Sequence, residues 1–492
     1  MADASLVVHL DDAIGTISPL LYGHFIEHLG RCVDEGIWVG EDSPIPNVGG
    51  IRTRTVEALK AIAAPVIRWP GGCFADDYHW QDGVGPRDRR PRRVNLWWGN
   101  EDDNAFGTHE FVRFCRLVGA EPYICANVGS GTPAEAKAWL EYCNYDGDSH
   151  YARLRREHGG AEPFDVKWWG IGNENWGCGG HFEPEEYAAA YRRFATYLRQ
   201  LGKRCRFVAC GHTTRDWNLR FLQGLRGRWD LIDHLSIHRY VQAGHETDFT
   251  DAEFYAVLSE CIRLDDDLRQ ARGTLDVTVG GAKPIGVIVD EWGVWHPQAR
   301  AAGGHVQENT LRDALAAATV LDLFNNWCDL VTMANLAQTV NVLQSVIRTE
   351  GEAFWLTATY YVFDLYRPHM GNTGVRTVAE SDVVDAKRPD GSTHDLPLLS
   401  ASASADAKGR RAVVSLVNRS LDADLECCIR LDGGSAQSGS ARRLWAESAS
   451  AHNSAQRPDA VAPVEGDCAA SGSEWTEPLP AHSVTVLQVN LT

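Results

Sequence analysis

Apolar residues along this chain gather in short continuous runs, and between the runs they recur at every third or fourth position. The runs are Leu20–Ile26, Pro65–Pro70, Pro122–Val128, Val166–Glu174, Arg206–Gly211, His234–Tyr240, Ile285–Trp292 and Val331–Gln338. Near-continuous apolarity over so few residues predicts strands covered on both faces, as in a parallel sheet. The intervening segments predict helices. In Glu183–Gly202, Tyr187, Tyr191, Phe194 and Leu198 recur at helical spacing, Pro184 suits the first turn, and Gly202 stands where a C-cap is expected. Eight strand–helix alternations predict a (β/α)8 TIM barrel, an α/β fold, over residues 19–370. A doubly wound open sheet is the alternative, and the lack of a glycine-rich phosphate loop after the first run counts against it.

Past Gly371 the texture changes. Arg411–Ser420, Leu425–Gly433 and His482–Leu491 alternate with Ser-, Ala- and Gly-rich turns, which predicts a compact antiparallel β-sandwich of the jelly-roll kind. Ser5–Leu10 precedes the first barrel run and is expected to join that sheet. The sandwich domain is therefore residues 1–18 plus 371–492. No internal repeat is visible, and Ser448–Glu474 reads as a long mobile loop.

Composition narrows the function. A chain of 492 residues exceeds the ~250–300 that one core usually reaches, and 44% hydrophobic with 23% charged residues marks an ordinary globular protein. Lys and Arg total 47 against 66 Asp and Glu, a net charge of −19. That balance argues against nucleic acid and anionic membranes as partners and suits a neutral substrate. The N-terminal stretch lacks a basic region followed by a long apolar core, and Ala314–Phe324 is too short to span a bilayer. Thirteen scattered cysteines with no regular framework fit a reducing, cytoplasmic compartment and predict buried free thiols for nearly all of them.

The chemistry is expected at the C-terminal ends of the barrel strands. Those ends carry Glu27, Arg68–Cys73, Asn127, Asn173–Glu174, His238, Tyr240, Glu291, Asn335 and Gln338, where packing alone would place Val, Ile or Leu. Two carboxylates stand out. Glu174 ends the fourth strand among glycines and Glu291 ends the seventh, on opposed sides of an eight-stranded barrel. Cleaving a glycosidic bond takes one acid to protonate the leaving oxygen and a second carboxylate opposite; at ~5–5.5 Å the second is a nucleophile and configuration is retained. Trp168, Trp169, Trp176, Trp292 and Trp295 are candidates for the apolar surroundings that raise the acid's pKa, or for flat faces against sugar rings. Asp290 competes with Glu291, and strand alternation allows only one of the two to face the pocket.

Other residues are weighed against plainer readings. His24 and His28 flank Glu27 at zinc-like spacing, but the metalloprotease order is H-E-x-x-H, so no metal is expected. Cys73 reads as pocket lining rather than a reactive thiol, because no cysteine-protease signature accompanies it. Arg87, Arg89, Arg90, Arg92 and Arg93 form a basic cluster best read as a solvated loop or a subunit contact. Trp97 and Trp98 either stack sugars beyond the cleavage point or simply pack.

Taken together, GNENWG (Gly172–Gly177), DEWGVW (Asp290–Trp295), YGHFIEHLGRCV (Tyr22–Val33) and RWPGGCFADDYHWQDGVGPRDRRP (Arg68–Pro91) resemble glycoside hydrolase family 51. The likeness runs through MANLAQTVNVL (Met333–Leu343) to LPAHSVTVL (Leu479–Leu487), so it covers nearly the whole chain. Members are mainly retaining α-L-arabinofuranosidases. The resemblance implies Glu174 as general acid/base and Glu291 as nucleophile. It also implies Glu27, Cys73, Asn173, Tyr240 and Gln338 around the arabinofuranose, Arg68 holding the nucleophile's charge, and His238, Asn127 and Trp292 in support. The GGCFAD form belongs to one branch of the family; another carries Asn in place of Cys73. The resemblance further implies an intracellular homohexamer acting on arabinofuranosyl oligosaccharides. Two carboxylates in a shaped pocket suffice, so no cofactor is expected. The rivals are a β-xylosidase or endo-glucanase on the same pair of acids, and a non-catalytic carbohydrate-binding protein with a decayed site.

Overall fold

The computed structural model describes residues 3–300 and 303–492; Met1 and Ala2, at the start of the sandwich segment, and Ala301 and Ala302 lie outside the described residues. Each of the eight apolar runs coincides with a strand, to within two residues where the strand outruns it: Gly23–Phe25, Val66–Trp69, Glu121–Ala126, Trp168–Ile171, Arg206–Cys210, His234–Val241, Gly286–Val294 and Val331–Ala337. They close into a barrel in chain order, each beside its successor. Pairing is parallel, as with Val66 opposite Glu121 and Trp169 opposite Ile124. The first strand is shorter than its run because Pro19–Tyr22 winds into a 3-10 turn.

The helix forecast from Tyr187, Tyr191, Phe194 and Leu198 spans Pro184–Leu201, and those four side chains are buried. Its start is closed by the Glu183 N–H donating to Glu186 Oε2 across 2.8 Å, which occupies one of the orphan donors of the first turn. Burying each large apolar side chain on that face contributes about 1.5–3 kcal/mol. The Tyr187 hydroxyl adds direction. It donates to Ile171 O at 2.6 Å and accepts from Cys210 N–H at 2.8 Å, which ties the helix to strands four and five.

The chain divides into two compact units. One comprises Gly23–His238 and Asp267–Glu291, the other Met1–Tyr22, Arg239–Asp266 and Trp292–Thr492. The second unit holds a nine-stranded sheet in the order Pro463–Asp467, Ala436–Leu444, Ser483–Leu491, Arg411–Asn418, Leu399–Ala405, Thr373–Ser381, Ala4–Thr16, Leu425–Asp432, Glu474–Leu479. The N-terminal strand does join it, antiparallel to Thr373–Ser381 but parallel to Leu425–Asp432; the sheet is thus not wholly antiparallel. Leu6, Val8, Leu416, Ile429, Leu431 and Leu487 lie in its core.

In the same unit Asp322, on the helix Leu311–Asn326, is buried and accepts from Tyr366, Ser400, Ser402 and Ser415 hydroxyls at 2.6–2.9 Å. Ser448–Glu474 is not the free loop expected of it. Pro463–Asp467 pairs with Ala436–Leu444, and the Asn453 amide exchanges hydrogen bonds with both backbone groups of Val461 at 2.7 and 2.9 Å. No helix among the described residues is long and apolar enough to cross a membrane.

Candidate active site

The tip of the fourth strand is an unusual piece of backbone. Gly172 has φ +83°, and a Cβ there would come within 2.0 Å of Asn175 Oδ1. Two residues on, Glu174 itself has φ +42°, a left-handed conformation that costs a non-glycine residue about 1–3 kcal/mol and persists only where neighbours over-determine it. Here they do. The Asn173 N–H donates to Asp76 Oδ2 at 2.7 Å, and the Asn175 side chain donates to Gly179 O at 2.8 Å and to Asp76 Oδ2 at 3.3 Å. Gly177 and Gly179 N–H both return to Glu174 O, at 2.7 and 3.1 Å.

Held this way, the Glu174 carboxylate meets His238, whose Nδ1 is 2.9 Å from Glu174 Oε1 and 3.6 Å from Glu291 Oε2. One polar atom from each of the three lies within 4.8 Å of the others. One oxygen of Glu174 and one of Glu291 therefore lie within 4.8 Å of each other beside His238, an approach compatible with the close carboxylate pair of a retaining glycosidase. Arg68, 1% exposed, donates from Nη1 to Glu291 Oε1 at 2.7 Å and from Nη2 to Asn173 Oδ1 at 2.5 Å. Burial disfavours the His238 imidazolium, but Glu291 and Glu174 outweigh it and its pKa is raised. For Arg68 burial likewise works against the charge, and Asp290 and Glu291 hold it firmly protonated. Asp290 is engaged elsewhere: Tyr123 donates to its Oδ2 at 2.8 Å and Arg68 Nε lies 3.6 Å from Oδ1.

Glu27 is buried against the Gly71–Gly72 backbone and accepts at Oε1 from Phe74 N–H and from the Trp98 indole, both at 3.1 Å. Trp98 thus does more than pack. Cys73 departs from expectation: it is bonded to Cys178, 105 residues away, so it offers no thiol. The partner sulfur lies 3.6 Å from Glu174 Oε2. No local spacing signals a bridge between two loops of a barrel. The eleven other cysteines are free, nine of them buried.

Tyr240 and Gln338 belong to the other unit, where Tyr240 stands edge-on to Trp295 at 5.3 Å and Gln338 N–H donates to Val342 O at 3.2 Å. Asn335 is buried there too, at the end of the eighth strand. Asn127 spends its amide on structure, accepting from Ser130 and Gly131 N–H of its own loop at 2.9 Å and donating to Ser130 Oγ and to Tyr78 O in the segment after strand two. Trp292 packs edge-on against Phe324 at 5.4 Å, in the core. Trp169 does likewise against Trp139 at 5.8 Å, while Trp168 leans on His234 and Trp176 donates to Gly211 O. Trp168, Trp169 and Trp292 are thus engaged in ring packing, and Trp176 in a hydrogen bond to the backbone after strand five.

Both ring nitrogens of His28 are engaged, Nδ1 with Asp102 at 2.6 Å and Nε2 with the Trp69 indole at 3.0 Å, which leaves none for a metal shared with His24. Among the described residues two triads have the spacing to hold a cation, Glu174–His238–Glu291 and Cys73–Glu174–Cys178. The second lacks thiolates because its cysteines are bridged. The basic cluster is largely paired: Arg90, with its side chain 4% exposed, chelates Glu110, Arg87 reaches Glu41 and Glu110, Arg92 lies near Glu101, and Arg93 meets Asp82.

One residue escaped the sequence reading altogether. Asp76 is buried, and its two oxygens accept from Val128 N–H at 2.6 Å, Gly129 N–H at 2.8 Å, Asn173 N–H and the Asn175 amide. Burial pushes its carboxyl up to about 7, against the pull of those backbone donors and of Arg68. The available signal was an acid in a glycine-flanked turn after strand two, beside a second acid, Asp77, that looked equivalent.

Models of the α-L-arabinofuranosidase 1 domain and of the α-L-arabinofuranosidase C-terminal domain match residues 58–260 and 290–483. An intracellular exo-α-L-arabinofuranosidase from Bacteroides ovatus is 39% identical, over 99% of this chain and 95% of its own. The crystal structure of a GH51 arabinofuranosidase from Xanthomonas axonopodis pv. citri superposes with a TM-score of 0.94 at 35% identity, covering 100% of both chains. The arabinose complex of the Thermotoga maritima α-L-arabinofuranosidase does so with 0.90 at 34% identity, over 99% of this chain and 100% of that one.

Proposed function

The chain belongs to glycoside hydrolase family 51 and cleaves terminal α-L-arabinofuranosyl residues from non-reducing ends with retention of configuration; from that premise we propose that Glu174 is its general acid/base and Glu291 its nucleophile. The observation that carries the assignment is the convergence of the two carboxylates on His238, with oxygens within 4.8 Å of each other. In the first step Glu174 gives its proton to the glycosidic oxygen while a Glu291 oxygen attacks the anomeric carbon. The carbon–oxygen bond to the leaving sugar breaks and an arabinosyl ester forms. In the second, the Glu174 carboxylate takes a proton from water as the water attacks the same carbon, and the ester bond returns its electrons to Glu291.

Arg68 supports the assignment of the nucleophile, since its guanidinium holds Glu291 Oε1 at 2.7 Å and aims the carboxylate. His238 sits between the acids and compensates their like charges. Glu27 and Asn173 are the proposed sugar-binding residues in the unit that carries both acids; Tyr240 and Gln338 remain proposed on the family resemblance alone. Cys73, being bridged, is proposed as a wall of the pocket and not as a donor. The oligosaccharide substrate, a cytoplasmic location and a homohexameric assembly belong to the same proposal, the location resting on the name of the Bacteroides ovatus relative.

The test is kinetic. Glu291→Ala abolishes release of the aryl group from aryl arabinofuranosides, and azide restores turnover to Glu174→Ala as the α-configured azide, because it displaces the arabinosyl ester in place of water. NMR of the first product shows the α-anomer before mutarotation. Either variant retaining wild-type turnover, or a β-anomer appearing first, refutes the assignment.

A further inference from the structure

We propose that Asp76 is a positioning residue for the acid/base: it grips both neighbours of Glu174 and sets where that carboxylate stands, an inference that rests on the reading of Glu174 above. The geometry is specific. Asp76 ends the short helical turn Cys73–Asp76 after strand two. One of its oxygens takes the Val128 and Gly129 N–H groups at the end of strand three, and the other takes the Asn173 N–H and the Asn175 side chain, the residues on either side of Glu174. Both oxygens are thus fully used. Asp76 O also accepts from Ser130 N–H at 3.0 Å, which fixes the turn to the same loop.

Space around the carboxylate is reserved for it. A Cβ on Gly179 would stand 2.4 Å from Asp76 Oδ2 and 2.0 Å from Asn173 O. The loop after Glu174 can close over Asp76 only because that position carries no side chain. The disulfide from Cys73 to Cys178 joins the same two segments, so the turn that carries Asp76 and the loop that carries Glu174 are connected covalently and by hydrogen bonds. Arg68 holds the Asn173 side chain as well, donating from Nη2 to its Oδ1 at 2.5 Å. Between these grips Glu174 keeps its positive φ. Without Asp76 the Asn173 peptide has no acceptor, and the Glu174 backbone is free to relax toward an ordinary conformation. Its carboxylate then swings away from the leaving oxygen.

Asp76→Asn keeps the shape but turns one acceptor into a donor facing N–H donors. The experiment compares kcat/KM of wild type, Asp76→Asn and Glu174→Ala on an arabino-oligosaccharide, whose leaving group must be protonated, and on a dinitrophenyl arabinofuranoside, whose leaving group need not be. Asp76→Asn is expected to lose roughly 10–100-fold on the oligosaccharide, within the range of general acid catalysis, and less than about 3-fold on the aryl substrate. On the aryl substrate kcat and KM fall together, because the second step also needs Glu174. A purely structural Asp76 would lower both substrates equally; equal loss, or none, overturns the proposal. If Glu174→Ala itself shows no difference between leaving groups, the assignment of Glu174 falls and this proposal with it, so the two failures are told apart. Should Asp76→Asn not give folded protein by its thermal melt, Asn175→Ser removes one arm of the same grip and is read by the same ratio.

Discussion

Arg68 donates to Glu291 across 2.7 Å, and at 1% and 5% exposure neither side chain has water to replace the other. A buried pair of this kind adds little net stability, but removing one partner is expensive because the remaining charge is stranded. Arg68→Met is therefore expected to destabilise the fold by about 3–5 kcal/mol in urea titration, and to lower kcat by roughly 100-fold through misplacement of the nucleophile. A variant with wild-type midpoint and turnover would sink the assignment of Arg68.

His238 supplies a pH dependence whose sign follows from its surroundings. Burial lowers its pKa, but Glu291 and Glu174 raise it further, so the folded value lies above 6.5. The folded state then holds the proton more tightly than the unfolded chain. The stabilisation is complete below pH 6.5 and is lost as pH rises through the folded pKa. His238→Gln should remove that downward slope. The comparison is a pair of urea midpoints against pH on both sides of neutrality, and parallel curves would contradict it.

Asp322 gives a second slope in a more acidic window. Burial pushes its carboxyl from 3.8 up to about 6, although four hydroxyls from Ser415, Ser400, Tyr366 and Ser402 pull it back. This group also binds its proton more tightly in the folded state, so its contribution is present below pH 3.8 and is lost as pH rises through about 6. The amount at stake is about 3 kcal/mol. Asp322→Asn should flatten the difference in stability across that interval, and circular-dichroism melts at a series of pH values measure it.

The Cys73–Cys178 bridge closes a loop with a sequence separation of 105 residues. For a loop that long the chain-entropy model gives about 4–5 kcal/mol. Dithiothreitol is expected to lower the melting temperature of the wild type and to leave the Cys73→Ala/Cys178→Ala double variant unmoved. Equal sensitivity of the two would rule out a stabilising bridge.

The eight barrel strands and the helix Pro184–Leu201 were legible from periodicity, because burial on two faces or on one leaves a mark in consecutive residues. Glu174 and Glu291 were legible for a related reason: a carboxylate at the end of an apolar run has no packing use there. Trp168, Trp169 and Trp292 were ambiguous along the chain, since an aromatic beside a catalytic motif and one that packs against a neighbouring ring look alike there. The disulfide and Asp76 left no such trace. Asp76 lies 97 residues from the Asn173 N–H it holds, and Cys73 is 105 residues from Cys178. Those partners meet only once strands two and four stand in register on either side of strand three. Pattern along a chain records which face of an element is dry, whereas hydrogen-bond partners across a barrel follow from its closure.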